Sequence, residues 1–153
     1  MACPQCLVNA RSHSFVKFGN KDETSYWYTG AGKADELVDT PEKFTYFKQH
    51  LDLAKETPKW IWVFDCSGMT NRHHSSVDFM KRLVGSLSNE HEDRLQAIWI
   101  VNPSLWIWTA VFILSPFMNQ KLTKKIEFIE GTGANFFVKL IGVRLYSAPW
   151  GKP

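Results

Sequence analysis

The sequence predicts an α/β domain in which helices cover a mostly parallel β-sheet. Two runs, residues 60–64 and residues 95–101, are continuously apolar and rich in β-branched and aromatic side chains, which is typical of strands covered on both faces. A helical pattern lies between them, and another separates the later run from a third short strand at residues 126–129. This alternation of strands and helices favours a parallel sheet with right-handed crossover connections.

The chain of 153 residues has the length of one domain that buries roughly two thirds of the surface exposed by its unfolded state. We expect residues 1–14 to form a tail or a loosely docked arm and residues 15–153 to form a single domain. Seven Trp and eleven Phe are more than an ordinary core of this size needs. This excess indicates a lined pocket or an exposed apolar face.

Charge and cysteine content narrow the class of protein. The net charge of +3 is too small to predict nucleic-acid binding, and no Lys/Arg run with interleaved aromatics occurs. Three cysteines without a signal peptide favour a reducing compartment, so we expect a cytoplasmic protein; its apolar helix and the lysines that follow, discussed below, place it peripheral to membranes. Cys3 and Cys6 have the spacing of half a zinc site or a redox pair, but no second pair follows. We expect neither a metal nor a cofactor.

One long uncharged stretch is a candidate membrane-spanning segment. Residues 95–120 contain no charged side chain, and that length could cross a bilayer. Pro103 and Pro116 interrupt the stretch, and the unbroken apolar piece at residues 105–114 is about half of the roughly 20 residues that a span requires. We therefore expect a buried strand, a turn and an unusually apolar helix.

The first third of the chain predicts a hairpin and a helix. Residues 15–18 and residues 25–28 are β-prone runs separated by a polar turn. Thr40 is suited to the N-cap and Pro41 to the first position of a helix that ends near Pro58. The expected inner face of this helix consists of Phe44, Phe47, Leu51 and Ala54.

The helices of the later part follow from their apolar periodicity. A Ser-x-x-Asp capping box at Ser75 begins a helix whose expected buried face is Val77, Met80, Leu83, Val84 and Leu87. Residues 105–114 form the apolar helix, and residues 121–125 are expected to be the charged segment through which the chain leaves it. Gly131 and Gly133 turn the chain into a final helix, whose expected inward residues are Phe137, Leu140, Ile141 and Leu145.

Three stretches resemble motifs of the CRAL-TRIO lipid-binding family. Residues 63–68 look like its central strand, which ends in Asp-x-x-Gly, and residues 94–103 look like the next strand, which closes on Asn-Pro. Residues 110–112, which lead into the basic segment 116–126, are similar to its gate helix and the link to the last strand. The resemblance covers about residues 60–130. It implies a minimal version of the domain without the family's N-terminal helical bundle.

The resemblance implies that the chain binds, and transfers or senses, a hydrophobic lipid without catalysis. The ligand would be a phospholipid, a phosphoinositide or an isoprenoid-like molecule, held between the sheet and a mobile gate helix. The lipid-binding residues expected from the family and from their apolar character are Trp62, Phe64, Trp99, Leu105, Trp106, Trp108, Phe112, Ile113, Phe117 and Met118. Transient contact with an anionic membrane surface is expected from Lys121, Lys124 and Lys125.

Two other function classes stay open. Some relatives of this family are adaptors that bind small GTPases or their regulators, so a protein partner is an alternative. Cys66 and Arg72 have the Cys-x5-Arg spacing of a cysteine phosphatase loop between a strand and a helix. The preceding Asp65 disfavours a thiolate there, so we expect no catalytic residue. His73 and His74 have no further ligands at helical spacing and predict a surface turn.

Overall fold

The computed structural model describes residues 14–30, 41–69, 77–129 and 133–149. Its strands are β1 (Val16–Lys21), β2 (Thr24–Gly30), β3 (Lys59–Asp65), β4 (Leu95–Val101), β5 (Ile126–Ile129) and β6 (Arg144–Leu145). Its α-helices are α1 (Pro41–Asp52), α2 (Val77–Asn89), α3 (Leu105–Leu114), α4 (Gln120–Lys125) and α5 (Gly133–Lys139). Two short 3-10 helices, Leu53–Glu56 and Ser115–Phe117, follow α1 and α3.

The six strands form one mixed sheet in the order β5-β4-β3-β2-β1-β6. The four strands from β2 to β5 are parallel, whereas β1 pairs antiparallel with β2 and with β6. The predicted α/β class, the early hairpin and the three later strands are therefore confirmed. The predicted strands are found because their signals are local: an apolar run or a β-prone pair around a polar turn.

Side chains alternate between the two faces of the sheet, and each face carries its own core. Trp60, Trp62 and Phe64 of β3 point to the first face, where residues of α1 to α4 cover them. Ile61 and Val63 point to the second face, where α5 contributes buried side chains. Most of the helical mass therefore lies on the first face.

The final helix differs from the prediction. Of the four residues expected to point inward, Leu140 is buried, but Phe137, Ile141 and Leu145 are exposed. The helix ends at Lys139, so Ile141 lies beyond it and Leu145 belongs to the edge strand β6. The buried stripe is formed by Phe136 and Leu140, four residues apart, which places Phe137 at its edge.

The charged segment after α3 also differs from the prediction, because it forms a separate helix. Pro116 lies in the 3-10 helix that follows α3, and α4 then starts anew. Asn119 is the N-cap of α4: its Oδ1 accepts a hydrogen bond from the N–H of Leu122 at 2.7 Å. Within the described ranges, no helix has both the length and the apolar character needed to cross a bilayer.

Packing of α1 on the sheet can be tested with two neighbouring leucines. Leu51 is completely buried, whereas Leu53 is 52% exposed. We expect Leu51→Ala to lower the free energy of unfolding by about 2–5 kcal/mol, because it removes buried methyl groups and leaves a cavity. Leu53→Ala should change it by less than about 0.5 kcal/mol. Urea denaturation followed by circular dichroism measures both, and equal losses would contradict the observed packing.

Candidate functional site

The carboxyl ends of β3 and β4 meet at one edge of the sheet, because the two strands are adjacent and parallel. The buried carboxyl group of Asp65 lies at the end of β3 and accepts hydrogen bonds from three segments. The hydroxyl of Tyr28 donates to Oδ2 at 2.5 Å, and the backbone N–H of Ser67 donates to Oδ1 at 2.9 Å. The amide of Asn102 donates to Oδ1 at 3.2 Å and to Ser67 Oγ at 2.8 Å. Burial and the contact with Asp65 together raise the pKa of Tyr28 far above its ordinary value.

The turn from β4 into α3 is built by three successive residues. Asn102 adopts a left-handed conformation with a φ of 52°, which asparagine tolerates better than most residues. Pro103 follows, and Ser104 is the N-cap of α3, where its Oγ accepts a hydrogen bond from the N–H of Ile107 at 3.3 Å. Asn102, the first residue of the turn from which α3 starts, thus also contacts Asp65.

Helix α3 is apolar on both its inner and its outer side. Ile107 and Leu114 are buried in the core of the first face. Leu105 and Phe112 point away from the protein and are 80% and 79% exposed. The helix contains no charged residue. A surface helix of a globular protein ordinarily has a polar outer face, so this helix exposes an unusual amount of apolar surface.

An aromatic stack joins α3 to the edge strand β5. The rings of Trp108 and Phe128 are parallel to within 10°, and their centroids lie 3.7 Å apart. Trp108 nevertheless stays partly exposed, and Ile113 and Phe117 are also exposed. The exposed residues Leu105, Trp108, Phe112, Ile113 and Phe117 are here called the outer apolar surface.

The structure brings some of the predicted lipid-binding residues together and separates others. Trp62 and Phe64 are buried in the first core, and Met118 packs against its margin. Trp99 lies on the second face, with the Nζ of Lys139 5.4 Å from its ring centroid. The side chain of Trp106 lies outside the described residues. The outer apolar surface therefore holds half of the predicted set, and Trp99 is on the other side of the sheet.

The three predicted basic residues have different surroundings. Lys121 forms an ion pair with Glu92 at 2.9 Å, and Lys125 donates to the backbone carbonyl of Glu92. Burial lowers the pKa of Lys125. Lys124 is exposed. The structure adds a fourth basic residue near the predicted lipid-binding residues, Lys81 of α2. Its Nζ lies 4.5 Å from the ring centroid of Phe117. This contact joins segments far apart in the chain, so no local sequence signal reveals it.

Cys66 directly follows β3, and its surroundings oppose formation of a thiolate. The side chain is buried, and its backbone N–H donates to the carbonyl of Val101 at 2.9 Å. Burial, and after it the neighbouring Asp65, raise the pKa of the thiol to about 12. Arg72, the partner required for a phosphatase loop, lies outside the described residues, as do His73 and His74.

Comparisons with known proteins agree with this architecture. A sequence model of the CRAL/TRIO domain matches residues 39–144. The Rho GTPase-activating protein gacY of Dictyostelium discoideum is 26% identical over 78 residues, which is 51% of this chain and 11% of that protein. The crystal structure of Sfh5 has a TM-score of 0.55 at 15% identity, and the match covers 78% of this chain and 48% of that chain.

These matches differ in what they show. The chain spans about half of the length of the Sfh5 chain and about a tenth of the length of the GTPase-activating protein. The likeness to Sfh5 shows the fold. The domain model covers more than half of this chain, and its range contains β3, the Asn102 turn and the apolar helix α3. The chain therefore belongs to the CRAL/TRIO domain family, the lipid-binding family that its motifs resemble.

Proposed function

We propose that the chain binds a hydrophobic lipid between the sheet and α3, and that α3 is a lid that opens at a membrane surface. The observation that supports this proposal is the two-sided apolar character of α3. Its inner residues complete a protein core, while Leu105 and Phe112 on its outer side are exposed. Both sides of the helix suit contact with lipid: the inner side with a bound acyl or isoprenoid chain, and the outer side with the bilayer.

For each side chain, the burial lost when the lid opens and the burial gained in a bilayer are similar in size. Opening of the lid exposes Ile107 and Leu114. Exposure of each side chain to water costs about 1.5–3 kcal/mol, unless a lipid covers it instead. Entry of Leu105, Phe112 and Phe117 into a bilayer gains a similar amount for each side chain. A bound chain adds about 0.8 kcal/mol per methylene, so ten methylenes supply roughly 8 kcal/mol before ordering costs. A membrane can therefore shift the lid toward the open state.

Basic side chains near the outer apolar surface favour an anionic bilayer. Lys124 is exposed, and Lys81 lies against Phe117. Each Lys near such a surface contributes about 1 kcal/mol. Lys121 contributes less because it already pairs with Glu92. We propose a protein in a reducing, cytoplasmic compartment that contacts membranes peripherally and carries a phospholipid, a phosphoinositide or an isoprenoid-like molecule.

A protein partner is the second candidate function. It is favoured by the match to a Rho GTPase-activating protein and by a separate exposed apolar group on α5 and just after it, formed by Phe137, Val138 and Ile141. Under this alternative the domain is an adaptor that binds a small GTPase or a GTPase regulator. Native mass spectrometry separates the two functions: purified protein with bound lipid supports the carrier, and protein that neither carries nor extracts lipid supports the adaptor.

The lid hypothesis predicts that Phe112→Asp abolishes lipid extraction. A charged side chain on a surface that enters a bilayer costs a few kcal/mol, so transfer of fluorescent phosphatidylcholine between vesicles should fall at least tenfold. Phe137→Asp, the same change on α5, is the matched control and should transfer lipid at the parent rate. Equal melting temperatures by circular dichroism establish that both variants fold. Undiminished transfer by folded Phe112→Asp would contradict the lid.

The charge hypothesis predicts that Lys124→Glu weakens binding to vesicles that contain phosphatidylserine. Reversal of one charge near the surface removes about 2 kcal/mol, or roughly thirtyfold in the partition coefficient at low salt. Vesicle co-sedimentation measures the coefficient. Lys59→Glu, which reverses the charge of an exposed lysine on a different element, at the start of β3, is the control. An equal loss in both variants would show that net charge, and not the position of Lys124, governs binding.

We further propose that the domain is not an enzyme and that Cys66 has a structural role. Because burial raises the pKa of the thiol to about 12, very little of Cys66 is thiolate at pH 8. In a Cys3→Ser/Cys6→Ser background, iodoacetamide at pH 8 should therefore modify Cys66 only after unfolding in urea. No hydrolysis of an aryl phosphate is expected. Rapid alkylation of the folded protein, or hydrolysis abolished by Cys66→Ser, would favour the phosphatase instead.

A further inference from the structure

A fully buried histidine lies near the amino ends of the parallel strands, opposite to Asp65. It belongs to the loop between α2 and β4. The side chain of His91 has no exposed surface, and its Nδ1 and Nε2 have no hydrogen-bond partner among the described residues. The backbone is held firmly, because the His91 carbonyl accepts hydrogen bonds from the N–H groups of Arg94 and Leu95. The ring packs edge-on against Trp60 with centroids 5.3 Å apart. Packing alone thus determines the orientation of this imidazole.

A buried polar atom without a partner is unfavourable by about 1–3 kcal/mol, so this histidine calls for an explanation. Its Nε2 points toward the end of α1, where the Oδ1 atom of Asp52 lies 3.8 Å away. That oxygen is also shielded from solvent and makes no hydrogen bond within the described part of the chain, although the Nζ of Lys55 is 3.3 Å away. Two atoms that can both donate an electron pair therefore face each other, and neither makes a hydrogen bond within the described residues.

A third ligand is adjacent in the sequence. Glu90 precedes His91, and one donor atom from each of Asp52, Glu90 and His91 lies within 4.8 Å of the other two. Bonds from zinc to nitrogen and oxygen are about 2.0–2.2 Å long, so ligand atoms around one ion are roughly 3.3 Å apart. An ion would therefore have to draw the ligand atoms together by up to about 1.5 Å, and the two carboxylates, which belong to partly exposed side chains, have room to rotate.

We propose that Asp52, Glu90 and His91 form a binding site for a divalent transition metal, with zinc as the preferred ion and the fourth position open to water. One imidazole with two carboxylates suits zinc and related metals, whereas calcium needs six or more oxygen ligands. Such an ion would satisfy Nε2 and the carboxylate together.

The protonation state of the histidine agrees with this role. Burial lowers the pKa of His91 to about 4, so the ring is neutral at neutral pH. A neutral imidazole keeps an electron pair on one ring nitrogen, which is the form that a metal requires. The ring is therefore ready to bind an ion without first losing a proton.

Basic groups around the site limit its affinity. The Nζ of Lys48 lies 2.7 Å from Glu90 Oε1, and Lys55 pairs with Asp52. Both lysine side chains are partly exposed and can turn into solvent. The guanidinium of Arg94 is engaged with the carbonyls of Lys55 and Thr57 and remains nearby. The lysines therefore compete with a metal for the carboxylates, and their removal should strengthen metal binding.

Because the lysines compete with the metal for the carboxylates, substitution of a ligand and substitution of a lysine should change zinc affinity in opposite directions. The test uses the whole chain with the substitutions Cys3→Ser and Cys6→Ser, because these remove two thiols that could also bind zinc. The protein is freed of metal and titrated with zinc chloride in a calorimeter. We expect one ion per chain. Asp52→Asn should weaken zinc binding at least tenfold, and Lys55→Gln should strengthen it. Asp93→Asn, an exposed acid outside the cluster, is the matched control and should bind like the parent.

A second readout identifies the ligands directly. Cobalt bound at this site should give the visible absorption bands of a four-coordinate ion, and these bands should disappear in Asp52→Asn and in Glu90→Gln. Circular dichroism melting of the metal-free variants establishes that they fold. Absence of stoichiometric zinc binding, or binding that is insensitive to Asp52→Asn, would overturn the proposal, as would weaker binding by Lys55→Gln.

Discussion

The buried carboxyl group of Asp65 joins three segments at the carboxyl ends of the parallel strands, and the placement of α3 depends on them. It accepts hydrogen bonds from β2 through Tyr28, from its own turn through Ser67, and from the start of the α3 connection through Asn102. A buried carboxyl group is tolerated only when its oxygens are satisfied, and here both oxygens are. Loss of the Tyr28 hydroxyl would remove the donor to Oδ2, and loss of the Asn102 amide would detach the turn that carries α3 from Asp65.

The turn that Asp65 stabilises places a helix without charged residues at the surface. Asn102 takes a left-handed conformation and Ser104 caps the helix, so the first turn of α3 is held even though its outer side contacts solvent. The remaining attachment consists of a few inward side chains and the stack of Trp108 on Phe128. A hinge held by the Asp65 network, followed by an apolar helix, suits the lid proposed above.

The hinge of the proposed lid and the proposed metal site lie at opposite ends of the parallel strands. The parallel strands end beside Asp65 and α3, and they begin beside Trp60 and Leu95, where His91 is buried. Asp52 ends α1 and His91 follows α2, so a metal ion there would connect two helices that cover the first face. Lid motion and metal binding involve different residues, and either can be present without the other.

The sequence by itself determined the α/β class, the strands β3 and β4, and the bounds of α3, because apolar runs, proline and capping residues act on neighbouring positions. Only the tertiary structure decided which face a side chain occupies. Trp62 and Trp99 both lie in apolar strands, yet the pairing register turns them to opposite faces. The ion pair of Lys121 with Glu92 and the approach of Asp52 to His91 join segments far apart in the chain. Such contacts depend on how complete elements pack, which no local pattern of residues encodes.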